Sequence, residues 1–259
     1  MKAKLGQHFL KDPAALDAIV AAAGVAAGDA VLEIGPGKGA LTKPLLDAGA
    51  RVTAVELDDA LAAALPARAG AGAARLTVLN EDFLRLDLAV LGPGPWRVAG
   101  NLPYAVATPI LQKLLLWDGW TTAALMFQKE VALRIAAATG GADYGLLALS
   151  VRARADADVA FELPPGAFAP RPKVDSAVVA LKRLARPRLA AEDERLFWRL
   201  AKAAFGQRRK MAAGVLAHAL NRPRPEVEAA FAAAGVAAAA RPEEIPFDAW
   251  AALVRGLRA

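Results

Sequence analysis

Five short apolar runs, at residues 30–34, 51–57, 75–79, 96–99 and 123–127, alternate with helical stretches at 14–23, 41–48, 60–67, 106–116 and 129–138. Strands that are apolar on both faces and separated by helices pack as a parallel sheet covered on both sides. This alternation limits the first half of the chain to an α/β fold. The rhythm then changes: 146–155, 158–163 and 174–184 read as three extended stretches with no helix between them, so the sheet is expected to end in antiparallel strands. After Arg186-Pro187-Arg188 the pattern becomes helical at 192–205, 208–220, 226–234 and 248–257, punctuated by Pro223, Pro225, Pro242 and Pro246. The expected organisation is an α/β domain over 1–184 and a small all-α domain over 185–259.

Charge separates the same two parts. Of the net +6, residues 185–259 hold 13 Lys/Arg against 8 Asp/Glu, and residues 1–184 hold 19 against 18. The basic second part suggests a polyanionic partner, with a solvated basic face as the plain alternative. No apolar stretch approaches the roughly 20 residues a membrane span needs. The N-terminal MKAKLGQHFLKDP has no apolar signal core, so no leader is expected. With no cysteine and two isolated histidines, neither disulfides nor a metal site is expected, and the chain suits the cytoplasm.

The chemistry-bearing residues fall where the predicted strands end. The first strand runs into 33-EIGPGKGALT-42, where Gly35 and Gly37 allow a tight turn against a ligand at the start of a helix. Glu56 ends the second strand, 21 residues after Gly35, a distance at which an acid of a doubly wound sheet accepts hydrogen bonds from ribose hydroxyls. Asp82 follows the third strand and can accept from an exocyclic amino group such as adenine N6. Either acid alone could be a helix cap; both in phase with a glycine turn point to an adenosine-containing cofactor. The fourth strand leads into Asn101-Leu102-Pro103-Tyr104, an amide, a rigid proline and an aromatic ring in succession.

With that last motif the pattern resembles S-adenosylmethionine-dependent methyltransferases acting on amino nitrogens. More narrowly it resembles the ribosomal RNA adenine N6,N6-dimethyltransferase family, through 5-LGQHFLKD-12, 33-EIGPGKGALT-42, 55-VELD-58, 81-EDF-83, 100-GNLPY-104, 127-FQKEVALRI-135, 168-FAPRPKVDSAVV-179 and 205-FGQRRKM-211 in order along essentially the whole chain. The resemblance implies a Rossmann-like methyltransferase domain with a mostly parallel sheet, and a small helical domain that binds ribosomal RNA. It implies S-adenosyl-L-methionine as cofactor, held by His8, Leu10, Gly35, Gly37, Glu56, Asp82, Phe83 and Asn101. Asn101, Leu102, Pro103 and Tyr104 would form the catalytic motif, with Phe168 as a second ring to sandwich the target base. RNA contacts would come from Arg171, Lys173, Arg208, Arg209 and Lys210. The last three are read as lying at a helix start, where cations oppose the helix dipole unless phosphate offsets the cost. The helix continues Met211-Ala212-Ala213-Gly214, with no further cation.

The implied reaction is dimethylation of two adjacent adenosines in the 3′-terminal hairpin loop of small-subunit ribosomal RNA, within an immature small subunit. With no oligomeric signal in the sequence and a substrate that is itself large, a monomer is the default expectation. Two alternatives stand beside it: a relative that methylates large-subunit rRNA, and an assembly factor whose binding matters more than its catalysis.

Overall fold

The computed structural model describes residues 8–258. Of the segment 5–12 quoted above, Leu5, Gly6 and Gln7 lie outside the described residues. In chain order the elements are β1 (Phe9–Leu10), α1 (Pro13–Ala22), β2 (Ala30–Ile34), α2 (Thr42–Asp47), β3 (Arg51–Val55), α3 (Asp59–Ala69), β4 (Leu76–Leu79), β5 (Trp96–Asn101), α4 (Tyr104–Leu116), β6 (Trp120–Gln128), α5 (Lys129–Ala136) and α6 (Leu146–Arg152). They continue as β7 (Ala155–Leu163), β8 (Phe168–Ala169), β9 (Ser176–Arg183), α7 (Ala191–Phe205), α8 (Ala212–Leu220), α9 (Arg224–Ala233) and α10 (Phe247–Gly256).

Seven strands form one sheet in the order β4-β3-β2-β5-β6-β9-β7. The pairs β3/β4, β2/β3, β2/β5 and β5/β6 are parallel, and β9 closes against β6 antiparallel, as the loss of intervening helices predicts. Val31, Leu32, Val52, Val98 and Ala124 are fully buried, which accounts for the near-continuous apolar runs. Asp12 and Asp58 start α1 and α3 by accepting from backbone N–H groups in the first turn. A two-stranded ribbon pairs β1 with β8, setting Phe9 opposite Ala169 and Leu10 opposite Phe168.

Contacts divide the chain into two compact units. One runs to Ala132 and takes up Asp156–Arg183; the other combines Leu133–Ala155 with the chain from Leu184 onward. The second unit includes Leu133–Ala155, a segment the sequence reading left in the first domain. The extended reading of 146–155 is corrected for the same reason. Residues Leu146–Arg152 are helical, and Ala148 and Leu149 join Phe197, Leu200 and Trp250 in the core of the second unit.

A second correction concerns 208–220. Helix α7 ends at Phe205, and Gly206 to Lys210 form turns through Gln207 N–H to Ala204 and Lys210 N–H to Gln207. Helix α8 begins only at Ala212. Arg208, Arg209 and Lys210 therefore lie in the turns between the C-terminus of α7, where the dipole favours cations, and the N-cap Met211 of α8, and not within a helix.

Candidate active site

One cavity in the sheet unit opens at the carboxyl ends of β2, β3, β4 and β5, where an open parallel sheet binds ligands. His8, Leu10, Gly35, Gly37, Glu56, Asp82, Phe83 and Asn101–Tyr104 all line it. Residues spread over almost a hundred positions of sequence are thus brought to one place by strand order.

The glycine turn is built for close approach. Gly37 has φ +57°, and a Cβ there would lie 2.9 Å from the Phe9 ring. Its N–H donates to Glu56 Oε2 at 2.9 Å, while Glu56 Oε1 accepts from the Asp58 N–H at 2.9 Å. Glu56 is only 4% exposed, so both carboxylate oxygens are aimed by backbone donors and cannot swing away. The acid that caps α3 is Asp58, leaving Glu56 for the cavity. Asp82 has a divided role: Oδ1 accepts from the Leu84 N–H at 2.9 Å and stabilises its own loop, while Oδ2 lies 3.7 Å from Arg85 Nε. The helix-cap alternative therefore fails for Glu56, and at Asp82 one oxygen ties down a turn and caps no helix. The donor set fits an adenosine cofactor: an aimed, buried carboxylate at β3, an acid beside Phe83 at β4, and a glycine turn at β2.

Asn101 ends β5. Its Nδ2 donates to the His8 carbonyl at 2.9 Å, and the His8 ring donates from Nδ1 to the Pro170 carbonyl at 2.8 Å. The preceding Gly100 packs so closely that a Cβ would lie 2.8 Å from the Ile34 carbonyl oxygen. Pro103 stands at the N-cap of α4 with φ −60°, and Tyr104 opens the helix. The Tyr104 hydroxyl is 2.7 Å from Ser176 Oγ, and its ring stacks on His8 at 5.7 Å between centroids. Burial raises the Tyr104 pKa and the Ser176 hydrogen bond opposes that rise, so the phenol stays protonated.

Phe168 is placed differently. It is 1% exposed, packs in the core of the sheet unit, and does not line the cavity. As placed, the ring presents no face to a base; the expectation of an open second stacking ring is corrected. Arg171 and Lys173 are exposed in the loop between β8 and β9.

Three residues with evident roles were not singled out in the sequence. Glu33 lines the cavity at 1% exposure and accepts from Thr42 Oγ1 at 2.7 Å. Burial, opposed by the Thr42 hydrogen bond and aided by the Glu56 charge, pushes its pKa up to about 8, so it is a neutral acid at pH 7. Ser176 is fully buried and anchors Tyr104. Lys113, on α4, donates to the carbonyls of Phe83, Leu84 and Leu86 and lies 5.4 Å from the centre of the Phe83 ring. Only for Glu33 was there a sequence signal, an acid opening a glycine-rich turn.

In the helical unit, Arg209 and Lys210 line a hollow with Met211, His218 and Arg224. Arg208 does not share it. Its guanidinium pairs with Glu243 at 3.4 Å and donates to the Gly141 carbonyl at 3.3 Å.

The model of the family described as ribosomal RNA adenine dimethylase matches residues 1–257. A protein of Magnetococcus marinus named ribosomal RNA small subunit methyltransferase A is 44% identical over 254 residues, which is 96% of this chain and 89% of that protein. The crystal structure of the 23S rRNA methyltransferase ErmE aligns with a TM-score of 0.78 at 29% identity, covering 97% of this chain and all of that one. A dimethyladenosine transferase from Plasmodium falciparum aligns with a TM-score of 0.79 at 26% identity, covering 95% and 96%.

Proposed function

The chain belongs to the ribosomal RNA adenine dimethylase family, and from that premise we propose that it dimethylates N6 of two adjacent adenosines in the 3′-terminal hairpin loop of small-subunit rRNA. One observation carries the reading: Glu56, Asp82 and the Asn101–Tyr104 motif meet in a single cavity at neighbouring strand ends. The 44% identity to a small-subunit enzyme against 29% to a 23S enzyme favours the small subunit as substrate. The proposal extends to a monomer acting on immature small subunits in the cytoplasm.

S-adenosyl-L-methionine supplies a methyl group made electrophilic by a sulfonium. The residues that would hold it are Glu56 at the ribose, Asp82 and Phe83 at the adenine, and Gly35, Gly37, His8 and Leu10 around the rest. What the chain itself must do is prepare the amine. The N6 lone pair of adenine is delocalised into the ring, which makes the amine a poor nucleophile. Asn101 Oδ1 and the Leu102 carbonyl accept its two hydrogens and favour a more tetrahedral nitrogen, with the lone pair turned toward the donor. Pro103 fixes φ and contributes no N–H to compete for those acceptors. Tyr104 offers a ring for the extruded base, a contact worth roughly 1–3 kcal/mol. The cationic methylated amine releases its proton to solvent, so no dedicated base is required.

The test is transfer of labelled methyl from S-adenosylmethionine to purified small subunits that lack the modification, with mapping of the modified bases and large-subunit rRNA in parallel. N6,N6-dimethyladenine in the small-subunit hairpin is expected. Cofactor binding without any methylated adenine, or label confined to large-subunit rRNA, would contradict the reading.

A further inference from the structure

Four arginines of the helical unit are paired with its own carboxylates. Arg154 pairs with Glu194 at 2.5 Å, Arg224 with Glu228 at 2.7 Å, Arg258 with Asp193 at 2.9 Å, and Arg208 with Glu243 at 3.4 Å. These cations are matched by carboxylates of the same unit. Arg195 and Arg199 are not. They stand one turn apart on α7, both exposed, with no ion-pair partner among the described residues. Like charges at this spacing weaken a helix by a few tenths of a kcal/mol, so packing alone does not explain the pair.

Both line a hollow together with Arg222, over apolar walls from Leu196, Leu220 and Leu257. Arg258 and Glu192 also border it; the Arg258 guanidinium pairs with Asp193 and Glu192 and offsets the Glu192 charge. Low-dielectric walls beneath converging guanidinium groups concentrate a positive field, and the planar fork of arginine matches phosphate oxygens two at a time. The hollow of Arg209 and Lys210 has a separate set of lining residues. Asn221 turns the α8–α9 corner in the left-handed conformation with φ 53°, and Arg222 lines one hollow while Arg224 lines the other.

We propose that the hollow faced by Arg195 and Arg199 binds a phosphodiester of RNA, giving the helical unit a second backbone contact beside the Arg209–Lys210 hollow. The proposal rests on the reading that the substrate is RNA. A polymer with regularly repeated charge can enter both hollows at once, which a free phosphate cannot. The sequence cluster Arg208-Arg209-Lys210 is thereby redistributed: Arg208 serves the fold, and its place in RNA contact is taken by the two arginines of α7.

The test measures binding of the full-length protein to an unmodified small-subunit rRNA transcript across a series of salt concentrations. Arg195→Gln with Arg199→Gln should raise Kd and lower the slope of log K against log salt by about 1–2, since each lost phosphate contact removes roughly 0.7–0.9. Arg209→Gln with Lys210→Gln should act similarly, and the two pairs should combine. Thermal unfolding and cofactor binding, unchanged in the Arg195/Arg199 variant, confirm that the fold is intact. Wild-type Kd and slope in that variant would overturn the proposal. So would loss of stabilisation by inorganic phosphate with unchanged RNA binding, or a slope change produced by Arg208→Gln but not by the α7 pair. Because binding is read separately from methyl transfer, a reduced slope without transfer by the wild type would reject the proposed function and retain this site.

Discussion

The side chain of Asn101 donates from Nδ2 to the backbone carbonyl of His8 at 2.9 Å. A carbonyl can only accept, so the amide orientation is decided and Oδ1 is left free as an acceptor. The residue just before β1 thus sets the polarity of the Asn101 amide, and β1 is held in turn by its pairing with β8.

Asn101→Ala should lower kcat for methyl transfer by about 10²–10³, the loss typical for one preorganised polar group at a reacting centre. Cofactor affinity should stay within a few-fold of wild type, because Glu56 and the glycine turn are untouched. Labelled-methyl transfer under saturating cofactor, alongside calorimetric binding, separates the two. Turnover near wild type would remove Asn101 from the mechanism.

Ser176 and Tyr104 should behave as one unit. Ser176→Ala and Tyr104→Phe each remove the same hydrogen bond, of about 1 kcal/mol. Each should lower kcat/KM several-fold, and the double variant should be little worse than either single one. Additive losses would show that the hydroxyl–hydroxyl contact does not position the ring.

Lys113 ties α4, whose first residue is Tyr104, to the loop that carries Asp82 and Phe83. Burial lowers its pKa, opposed by Asp82 and Asp87. Lys113→Met should raise KM for S-adenosylmethionine several-fold at nearly constant kcat, and Lys113→Arg should restore part of the loss. A lower melting temperature with unchanged KM would mean that the lysine only braces the loop.

Glu33 carries a pH signature. Its folded pKa is about 8 against an ordinary 4.5, so the native state holds a proton that the unfolded chain releases. Stability therefore falls as pH rises from about 4.5 to about 8, and levels off above that window. Glu33→Gln keeps an acceptor for Thr42 and cannot ionise. Its melting temperature should exceed that of wild type at pH 8–9 and converge with it near pH 4.5. A constant difference across that range would argue against a neutral Glu33.

The parallel part of the sheet was legible because each buried strand writes itself as a bounded apolar run with a helix after it. The cavity was legible for a related reason: Glu56, Asp82 and Asn101 mark strand ends, and parallel strands bring their carboxyl ends together. Residues 146–155 were misread because a short apolar run has no period that separates a buried strand from a buried helix. Its partners, Phe197 and Leu200, lie some fifty residues away. Phe168 failed differently: the motif names the ring, but pairing of β8 with β1 decides that it faces the core. Ser176 and Lys113 act through partners 72 and about 30 residues distant, and nothing local distinguishes them.

The segment Leu133–Ala155 makes the helical unit discontinuous, with Tyr144, Ala148 and Leu149 buried against residues contributed after Leu184. A fragment cut at residue 185 would lose that wall and leave Leu200, Phe197 and Trp250 facing water, so it should aggregate rather than serve as an isolated RNA-binding module. During synthesis the same segment must wait for the strands between Asp156 and Arg183 to emerge before its partners exist. The sheet unit is therefore complete in sequence at Arg183, and the helical one is completed last.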